Sequence, residues 1–188
     1  PNPNAFYIDG PILEDKYKSF VGMQPVPIVY GMTIGEYAKM LVGQKWLDVN
    51  PKSKAQELKL SIIPISNYTH TSKYSVTIRP SPNLPNMTSI YWYPSLGWFE
   101  GTQLSIGRGT ETPFQVRGYP IFKSEFSFTP KSTPGALNPP LNGQLCHGWN
   151  LQMSESAAYQ QTNGQIQLSY LLDSYQQFPE KAKFFTSF

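Results

Sequence analysis

Proline interrupts nearly every apolar stretch of this 188-residue chain, which restricts it to short helices and strands. The sequence holds 18 prolines and 14 glycines. Proline lacks a backbone N–H and glycine is conformationally permissive, so both residue types tend to end regular elements. Aromatic residues make up 14% of the chain, which is enough to build a packed core. The composition therefore predicts a folded protein with long Pro- and Gly-rich loops.

Charge and cysteine content exclude several classes of protein. The formal net charge is only +3, and the basic residues are scattered, without a run that could follow a phosphate backbone. We therefore expect no nucleic-acid partner. Cys146 is the single cysteine, which excludes an internal disulfide and a multi-cysteine zinc site. No apolar run approaches the roughly 18 residues that a membrane-spanning helix needs, so no membrane span is expected.

The spacing of apolar residues predicts two main helices. Thr33 and Glu36 have the spacing of a capping box, and apolar residues follow at helical period up to a stop at Gly43. A second helix is predicted over residues 165–178, where Leu and Tyr residues repeat in the same way. A shorter helical turn is predicted near residues 87–93, closed by a proline.

Alternating apolar residues between these helices predict strands. The alternation occurs at residues 58–62, 76–78, 126–128 and 145–153. Residues 1–32 are repeatedly interrupted by proline and are expected to be extended. Together these signals predict an α+β fold with a mixed or antiparallel sheet and two main helices.

The triplet Gly107-Arg108-Gly109 is one candidate binding element. Glycine on both sides allows a positive φ or a close approach to a ligand, and the guanidinium of Arg108 can present a planar fork to a carboxylate or phosphate. An equally weighted alternative is that Arg108 pairs with Glu100 or Glu111 and fixes a loop. The triplet fits neither a Walker loop nor a GxGxxG motif, so we expect no nucleotide and no other cofactor.

Glu100 and the aromatic residues around it form a second candidate. A glutamate enclosed by aromatic rings is desolvated and can stay protonated, as a general acid requires, although a loop glutamate bonded to backbone amides is the more common case. Aromatic rings also suit the apolar face of a sugar, with nearby Asn and Thr meeting its hydroxyls, while about half of these rings are expected to be plain core. The aromatic residues concerned are Tyr91, Trp92, Tyr93, Trp98 and Phe99.

The two histidines give little support for a metal site. His70 and His147 stand far apart, and neither belongs to an HExxH pattern, so no metal is predicted. His147 alternates with Trp149 on a predicted strand, which favours a packed histidine in the core or a groove. Cys146 precedes His147 on that strand, so their side chains should diverge and form no catalytic dyad.

An ordered series of motifs resembles the exo-β-N-acetylmuramidases of the NamZ type, a family once described as a domain of unknown function. The resemblance runs from residue 1 to about residue 180. No single motif is specific, but their order is. The motifs are Pro1-Asn2-Pro3, Gly10-Pro11-Ile12-Leu13, Ser19-Phe20-Val21-Gly22, Gly31-Met32-Thr33-Ile34-Gly35-Glu36, Pro80-Ser81-Pro82-Asn83-Leu84-Pro85, Phe99-Glu100-Gly101-Thr102 and Ser105-Ile106-Gly107-Arg108-Gly109-Thr110.

The resemblance implies a domain organisation. Members of the family pair an N-terminal Rossmann-like domain with a C-terminal domain, and their active site lies in the cleft between the two. Residues 1–188 are similar to the C-terminal part, so we expect a single C-terminal domain of a longer protein. The family's proposed catalytic glutamate belongs to the N-terminal half. The chain alone is therefore expected to be inactive, with that half as its partner.

The resemblance also implies a function: release of N-acetylmuramic acid from the non-reducing end of peptidoglycan fragments, in the periplasm or outside a bacterial cell. An enzyme that selects muramic acid by its lactyl carboxylate needs a fixed cation, and Arg108 is the natural candidate. Tyr93 or Glu100 would be the catalytic partner of the other half's glutamate. The remaining candidates, for substrate binding, are Asn83, Trp98, Thr102, Gly107 and Gly109. A non-catalytic peptidoglycan-binding or carbohydrate-binding module is the alternative.

Overall fold

The computed structural model describes residues 7–47 and 59–186. The chain divides into two compact units, one up to Lys73 and the other from Tyr74 onward. The prediction that residues 1–188 are one C-terminal domain of a longer protein stays a prediction.

The first unit contains a pair of antiparallel strands and a helix. Strand β1 (Ile8–Ile12) pairs with β2 (Pro27–Tyr30), with Ile8 opposite Tyr30. Residues 7–32 were expected to be extended. The strand pairing itself was not predicted, because the prolines that interrupt this segment hide its alternation.

Helix α1 (Ile34–Gly43) begins and ends where the sequence predicted. The Thr33 hydroxyl accepts a hydrogen bond from the Glu36 N–H at 3.2 Å, and the Glu36 carboxylate accepts one from the Thr33 N–H at 2.8 Å. This reciprocal pair is the predicted capping box. His70 adds a 2.7 Å contact between its Nε2 and the carboxylate of Glu36.

The second unit is built on a small antiparallel sheet. Its strand order is β3 (Val116–Tyr119), β5 (Cys146–Asn150), β4 (Ser127–Phe128). Gly118 of β3 lies opposite Gly148 of β5. A Cβ at Gly148 would stand 2.0 Å from the carbonyl oxygen of Arg117, so only glycine permits this close pairing.

Three helices pack around this sheet: α2 (Met87–Leu96), α3 (Glu155–Thr162) and α4 (Ser169–Gln177). The second unit has a core of buried apolar side chains that includes residues of α2, and side chains of α4 pack against it. Its members are Trp92, Leu96, Phe99, Leu104, Ile106, Phe114, Phe122, Leu151, Phe178 and Phe184. The α+β class is confirmed, with antiparallel strand pairing in both sheets.

Several element boundaries differ from the sequence prediction. Pro94 lies inside α2 and does not close it, because the buried side chains of Trp92 and Leu96 outweigh the one helical hydrogen bond that proline removes. Helix α4 starts at Ser169, later than predicted. Neither residues 59–62 nor residues 76–78 form a strand; Leu58 lies outside the described residues. Strand β3 and helix α3 were not predicted.

Candidate functional site

Helix α2 and the short segment after it carry two of the predicted site residues, Tyr93 and Glu100. The chain leaves α2 directly into a 3₁₀ helix over Gly97–Gly101, in which Phe99 is fully buried. Tyr93 on α2 is 43% exposed. Some aromatic residues of this stretch are therefore in the core and others are at the surface. The sequence analysis expected about half of them to be core residues.

Backbone contacts with a distant segment hold the end of the 3₁₀ helix. The Gln103 N–H donates to the Phe184 carbonyl at 3.0 Å, and the Thr186 N–H donates to the Gly101 carbonyl at 3.0 Å. These two hydrogen bonds lie on either side of an antiparallel β-bridge between Thr102 and Phe185. The segment that carries Glu100 is thus fixed by residues 184–186.

Arg108 forms an ion pair with Glu100. Its Nε donates to Oε1 of Glu100 at 2.9 Å, and its Nη2 contacts the same oxygen. The Arg108 side chain is 29% exposed and that of Glu100 is 39% exposed. Glu100 is one of the two partners that the loop-fixing alternative named for Arg108, and this pairing is present. The general-acid hypothesis required aromatic rings to enclose Glu100. They do not enclose it, because its carboxylate reaches the surface and pairs with Arg108.

The ion pair does not prevent Arg108 from binding a ligand. Partly exposed ion pairs are worth about 0–1 kcal/mol, since both charges keep much of their hydration. A ligand carboxylate can compete for the same edge of the guanidinium at small cost. No described residue accepts a hydrogen bond from Nη1 of Arg108.

At both glycines beside Arg108, an added Cβ would point into the protein and not toward a ligand. Gly107 and Gly109 have φ of 81° and 80°, in the left-handed region that favours glycine. A Cβ would lie 2.6 Å from Val116 at Gly107 and 2.4 Å from the Lys131 carbonyl oxygen at Gly109. The predicted positive φ is therefore present. The space beside each Cα is filled by the chain itself, so the glycines shape the loop from within.

Phe114 joins Arg108 to Tyr93, and sequence reasoning did not identify it. The Arg108 guanidinium carbon lies 5.0 Å from the centre of the Phe114 ring, and the Tyr93 ring centre lies 4.9 Å from it. We call Tyr93, Glu100, Arg108 and Phe114 the arginine cluster. It brings together three of the predicted site residues, while their chemical roles stay predictions.

The other predicted substrate-binding residues make internal contacts. The Thr102 side chain is buried, and its hydroxyl donates to the Phe99 carbonyl at 2.7 Å. The half-buried Asn83 donates through Nδ2 to the Gly135 carbonyl at 2.8 Å. The indole N–H of Trp98 is enclosed and has no hydrogen-bond partner among the described residues. Any sugar contact by Trp98 would therefore use its ring.

Arg117 is a second arginine that the sequence did not single out. It is buried under the Trp149 ring, 3.8 Å from its centre, and near the Tyr170 ring. It donates to the Tyr170 carbonyl at 2.6 Å and to the Ser174 hydroxyl. Burial lowers the pKa of Arg117 to about 10, so it stays charged at neutral pH. Its inaccessible position makes it a structural cation, held by aromatic faces.

His147 and Cys146 behave as the strand alternation predicted. Cys146 is buried, whereas His147 lies on the half-buried face of β5, where Nδ1 is 3.1 Å from the Ser124 carbonyl. Burial raises the pKa of the Cys146 thiol to about 11. Within residues 7–47 and 59–186, no three His, Cys, Asp or Glu side chains cluster as metal ligands. In the same ranges no helix has the length and apolarity to cross a membrane.

Comparison with known proteins covers the whole chain. The family model described as exo-beta-N-acetylmuramidase NamZ, N-terminal, matches residues 1–88, and the corresponding C-terminal model matches residues 91–188. A curated relative, peptidoglycan beta-N-acetylmuramidase NamZ of Bacillus subtilis (strain 168), is 31% identical; the match covers 100% of this chain and 47% of the relative.

Two crystal structures of DUF1343 family proteins from Bacteroides fragilis NCTC 9343 are also similar. One is 50% identical, with a TM-score of 0.86 over 98% of this chain and 51% of that one. The other is 22% identical, with a TM-score of 0.69 over 94% and 49%, and supports the fold alone. The chain spans about half the length of the relatives it matches. By its matches to both family models, this chain belongs to the NamZ exo-β-N-acetylmuramidase family.

Proposed function

We propose that this chain is part of a glycoside hydrolase that releases N-acetylmuramic acid from the non-reducing end of peptidoglycan fragments. The chain would supply one wall of the active-site cleft. Family membership supports glycosidase chemistry on peptidoglycan. The arginine cluster carries the proposal for this chain, because it presents a cation, a carboxylate and a phenol together at the surface.

Arg108 is the proposed specificity residue. Muramic acid differs from glucosamine by a lactyl ether that ends in a carboxylate, and guanidinium binds carboxylates with charge-assisted hydrogen bonds. The ligand carboxylate would take the place of Glu100 on Arg108 or bind beside it. Glu100 or Tyr93 would then complement a glutamate from the other half. Glycoside hydrolysis normally uses two such groups, and tyrosine is a known nucleophile in some families. No cofactor is required for this chemistry.

The proposed partner is the N-terminal Rossmann-like half of the same protein. The first unit supports this proposal because it leaves large apolar side chains uncovered: Phe20 is 98% exposed and Val21 is 93% exposed. Among its described residues, Val29 is the one apolar side chain classed as buried. Such surfaces mark sites that another protein surface covers. We also propose that the working protein acts in the periplasm or outside the cell, because its proposed substrate is peptidoglycan.

Replacement of Arg108 tests this proposal. In a protein of family length, Arg108→Ala should lower kcat/KM on an aryl β-N-acetylmuramide roughly 10- to 150-fold, since a charge-assisted pair is worth about 1.5–3 kcal/mol. Arg108→Lys should restore part of the loss, because a point charge does not reproduce the fork. Arg79→Ala, at an exposed arginine, is the matched control and should have no effect.

Two outcomes would contradict the role of Arg108. The first is an equal loss on the matching glucosaminide, which lacks the lactyl group. The second is a large fall in melting temperature, which would mean that the ion pair with Glu100 is mainly structural. The chain alone should release no chromophore at a useful rate, and turnover should need the N-terminal half. Robust turnover by the chain alone would instead mean that the catalytic acid lies in this chain, and Glu100 would be the first candidate for it.

A carbohydrate-binding module without catalytic activity is the second candidate function. One observation favours it: Glu100 is the only carboxylate of the arginine cluster, whereas hydrolysis normally requires two flanking groups. Calorimetric titration of the chain with free N-acetylmuramic acid separates the two candidates. Binding that depends on Arg108, with no turnover even beside the N-terminal half, would support the binding module.

A further inference from the structure

We infer that Phe114 is a positioning residue that fixes the guanidinium plane of Arg108 and so sets the preference for muramic acid over glucosamine. This inference rests on the proposed function. It concerns a residue that touches Arg108 and Tyr93 but is itself fully buried, so it acts on a ligand only through them.

The backbone at Phe114 is one that normally selects glycine. The Gln115 N–H donates to the Thr112 carbonyl at 3.1 Å, which closes a β-turn with Pro113 second and Phe114 third. Phe114 has φ of 57°. Proline at the second position and a positive φ at the third characterise a type II turn, whose third residue is usually glycine or asparagine. A bulky side chain in this conformation is an outlier that points to a role for the side chain.

Burial sets Phe114 apart from the other described residues of this kind. Five non-glycine residues have a positive φ, and Phe114 alone among them is buried. The others lie at helix ends or on turns that reach solvent. At those positions the side chain needs no fixed place, whereas the Phe114 ring is held on every side.

The ring supports Arg108 from a direction that Glu100 does not use. Glu100 binds the Nε and Nη2 edge of the guanidinium. The central carbon of the guanidinium lies over the Phe114 ring, 5.0 Å from the ring centre. When a ligand carboxylate displaces Glu100, the edge contact exchanges but the contact with the ring remains. Phe114 therefore keeps the fork oriented during the exchange, and its contact with Tyr93 keeps the phenol in the same frame.

Loss of the ring should reduce selectivity, which a purely structural role would leave unchanged. In a protein of family length, Phe114→Leu should lower the ratio of kcat/KM for the aryl β-N-acetylmuramide to that for the glucosaminide roughly 2- to 30-fold, the range expected for a lost cation–π contact. The ratio does not depend on the fraction of folded enzyme. Phe114→Met fills the same space without a ring, and it provides the measurement if Phe114→Leu does not fold.

Phe122→Leu is the matched control. Phe122 is also a buried core ring, but its ring contacts are with Tyr119 and Trp149, away from Arg108. We expect it to lower stability and leave the ratio unchanged. An unchanged ratio in both Phe114 variants, or an equal fall in Phe122→Leu, would overturn the inference.

A second readout keeps this inference separate from the proposed function. In proton–nitrogen correlation spectra of the chain, the Nε–H signal of Arg108 should carry a ring-current shift from Phe114. That shift should be lost in Phe114→Leu and kept in Phe122→Leu. If the wild-type protein hydrolyses neither sugar, the proposed function fails, and this signal alone decides: a shift that persists in Phe114→Leu overturns the positioning role.

Discussion

Replacing Gly109 by alanine should destabilise the second unit far more than the same change at Gly143. The two glycines are matched in backbone conformation, with φ of 80° and 76°. They differ in what an added Cβ would meet. At Gly143 nothing lies within 4 Å, whereas at Gly109 the Lys131 carbonyl oxygen would be 2.4 Å away and a Pro139 carbon 2.7 Å away.

The size of the difference follows from these contacts. Both alanines carry left-handed strain of about 1–2 kcal/mol, partly offset by about 0.4–1 kcal/mol from a stiffer unfolded chain. Gly109→Ala also overpacks a filled space, at about 1–3 kcal/mol. It further disturbs the 2.8 Å hydrogen bond from the Lys131 N–H to the Gly109 carbonyl, worth about 0.5–1.5 kcal/mol. The gap between the two variants should be about 2–4 kcal/mol.

Urea unfolding of both variants and the wild type measures this gap directly. The free energy of unfolding should fall by at most about 1.5 kcal/mol for Gly143→Ala and by well over 2 kcal/mol for Gly109→Ala, with equal slopes against urea. A difference between the variants below about 1 kcal/mol would refute the reasoning. It would mean that the loop around Arg108 moves aside freely, so that the glycine frame does not fix the arginine.

Two further predictions concern titratable groups. Burial raises the pKa of Cys146 from 9.0 to about 11, so iodoacetamide should leave the native chain unlabelled at neutral pH and label it after unfolding; labelling at equal rates would contradict this. Hydrogen bonds from the Thr33 N–H and from His70 lower the pKa of Glu36 from 4.5 to about 2. The α1 cap should therefore contribute stability above pH 4.5 and lose it as the pH falls through about 2; in a carboxyl NMR titration, His70→Ala should raise this pKa.

Local signals were sufficient to predict helix α1. The capping box joins Thr33 to Glu36 across three residues, and both hydrogen bonds form without any help from distant parts of the chain. The turn after α3 also depends on local residue type, since Asn163 and Gly164 both adopt a positive φ, which asparagine and glycine tolerate. Signals of this kind depend on side chains and backbone that are already neighbours in the sequence.

Strand prediction failed where pairing depends on distant residues. Alternation over residues 76–78 is present, but no strand forms there, and no strand among the described residues pairs with this segment. Strand β3 shows the opposite case: it contains Arg117 and Gly118, which break any apolar alternation. It forms because β5 lies beside it and because the Trp149 face covers the arginine. No sequence pattern near residue 117 indicates that Trp149 will cover the arginine.

The candidate site was predicted in part for the same reason. Positive φ at Gly107 and Gly109 could be foreseen from residue type, and Glu100 was one of two named partners for Arg108. Phe114 could not be foreseen, because its contact with Tyr93 joins residues far apart in the sequence. The proline before it indicates a turn, but turn statistics favour a glycine at this position.

Because of the backbone contacts between Gly101–Gln103 and residues 184–186, formation of the site depends on the order in which the chain is synthesised. The segment that carries Glu100 leaves the ribosome about eighty residues before the segment that fixes it. At the usual rate of translation, roughly 5–20 residues per second, this delay is on the order of 4–16 s. For that interval Glu100 lacks its anchor, while Arg108 and Phe114 are already present. The arginine cluster is therefore completed only when residues 184–186 emerge, so assembly of the site during biosynthesis waits for that segment.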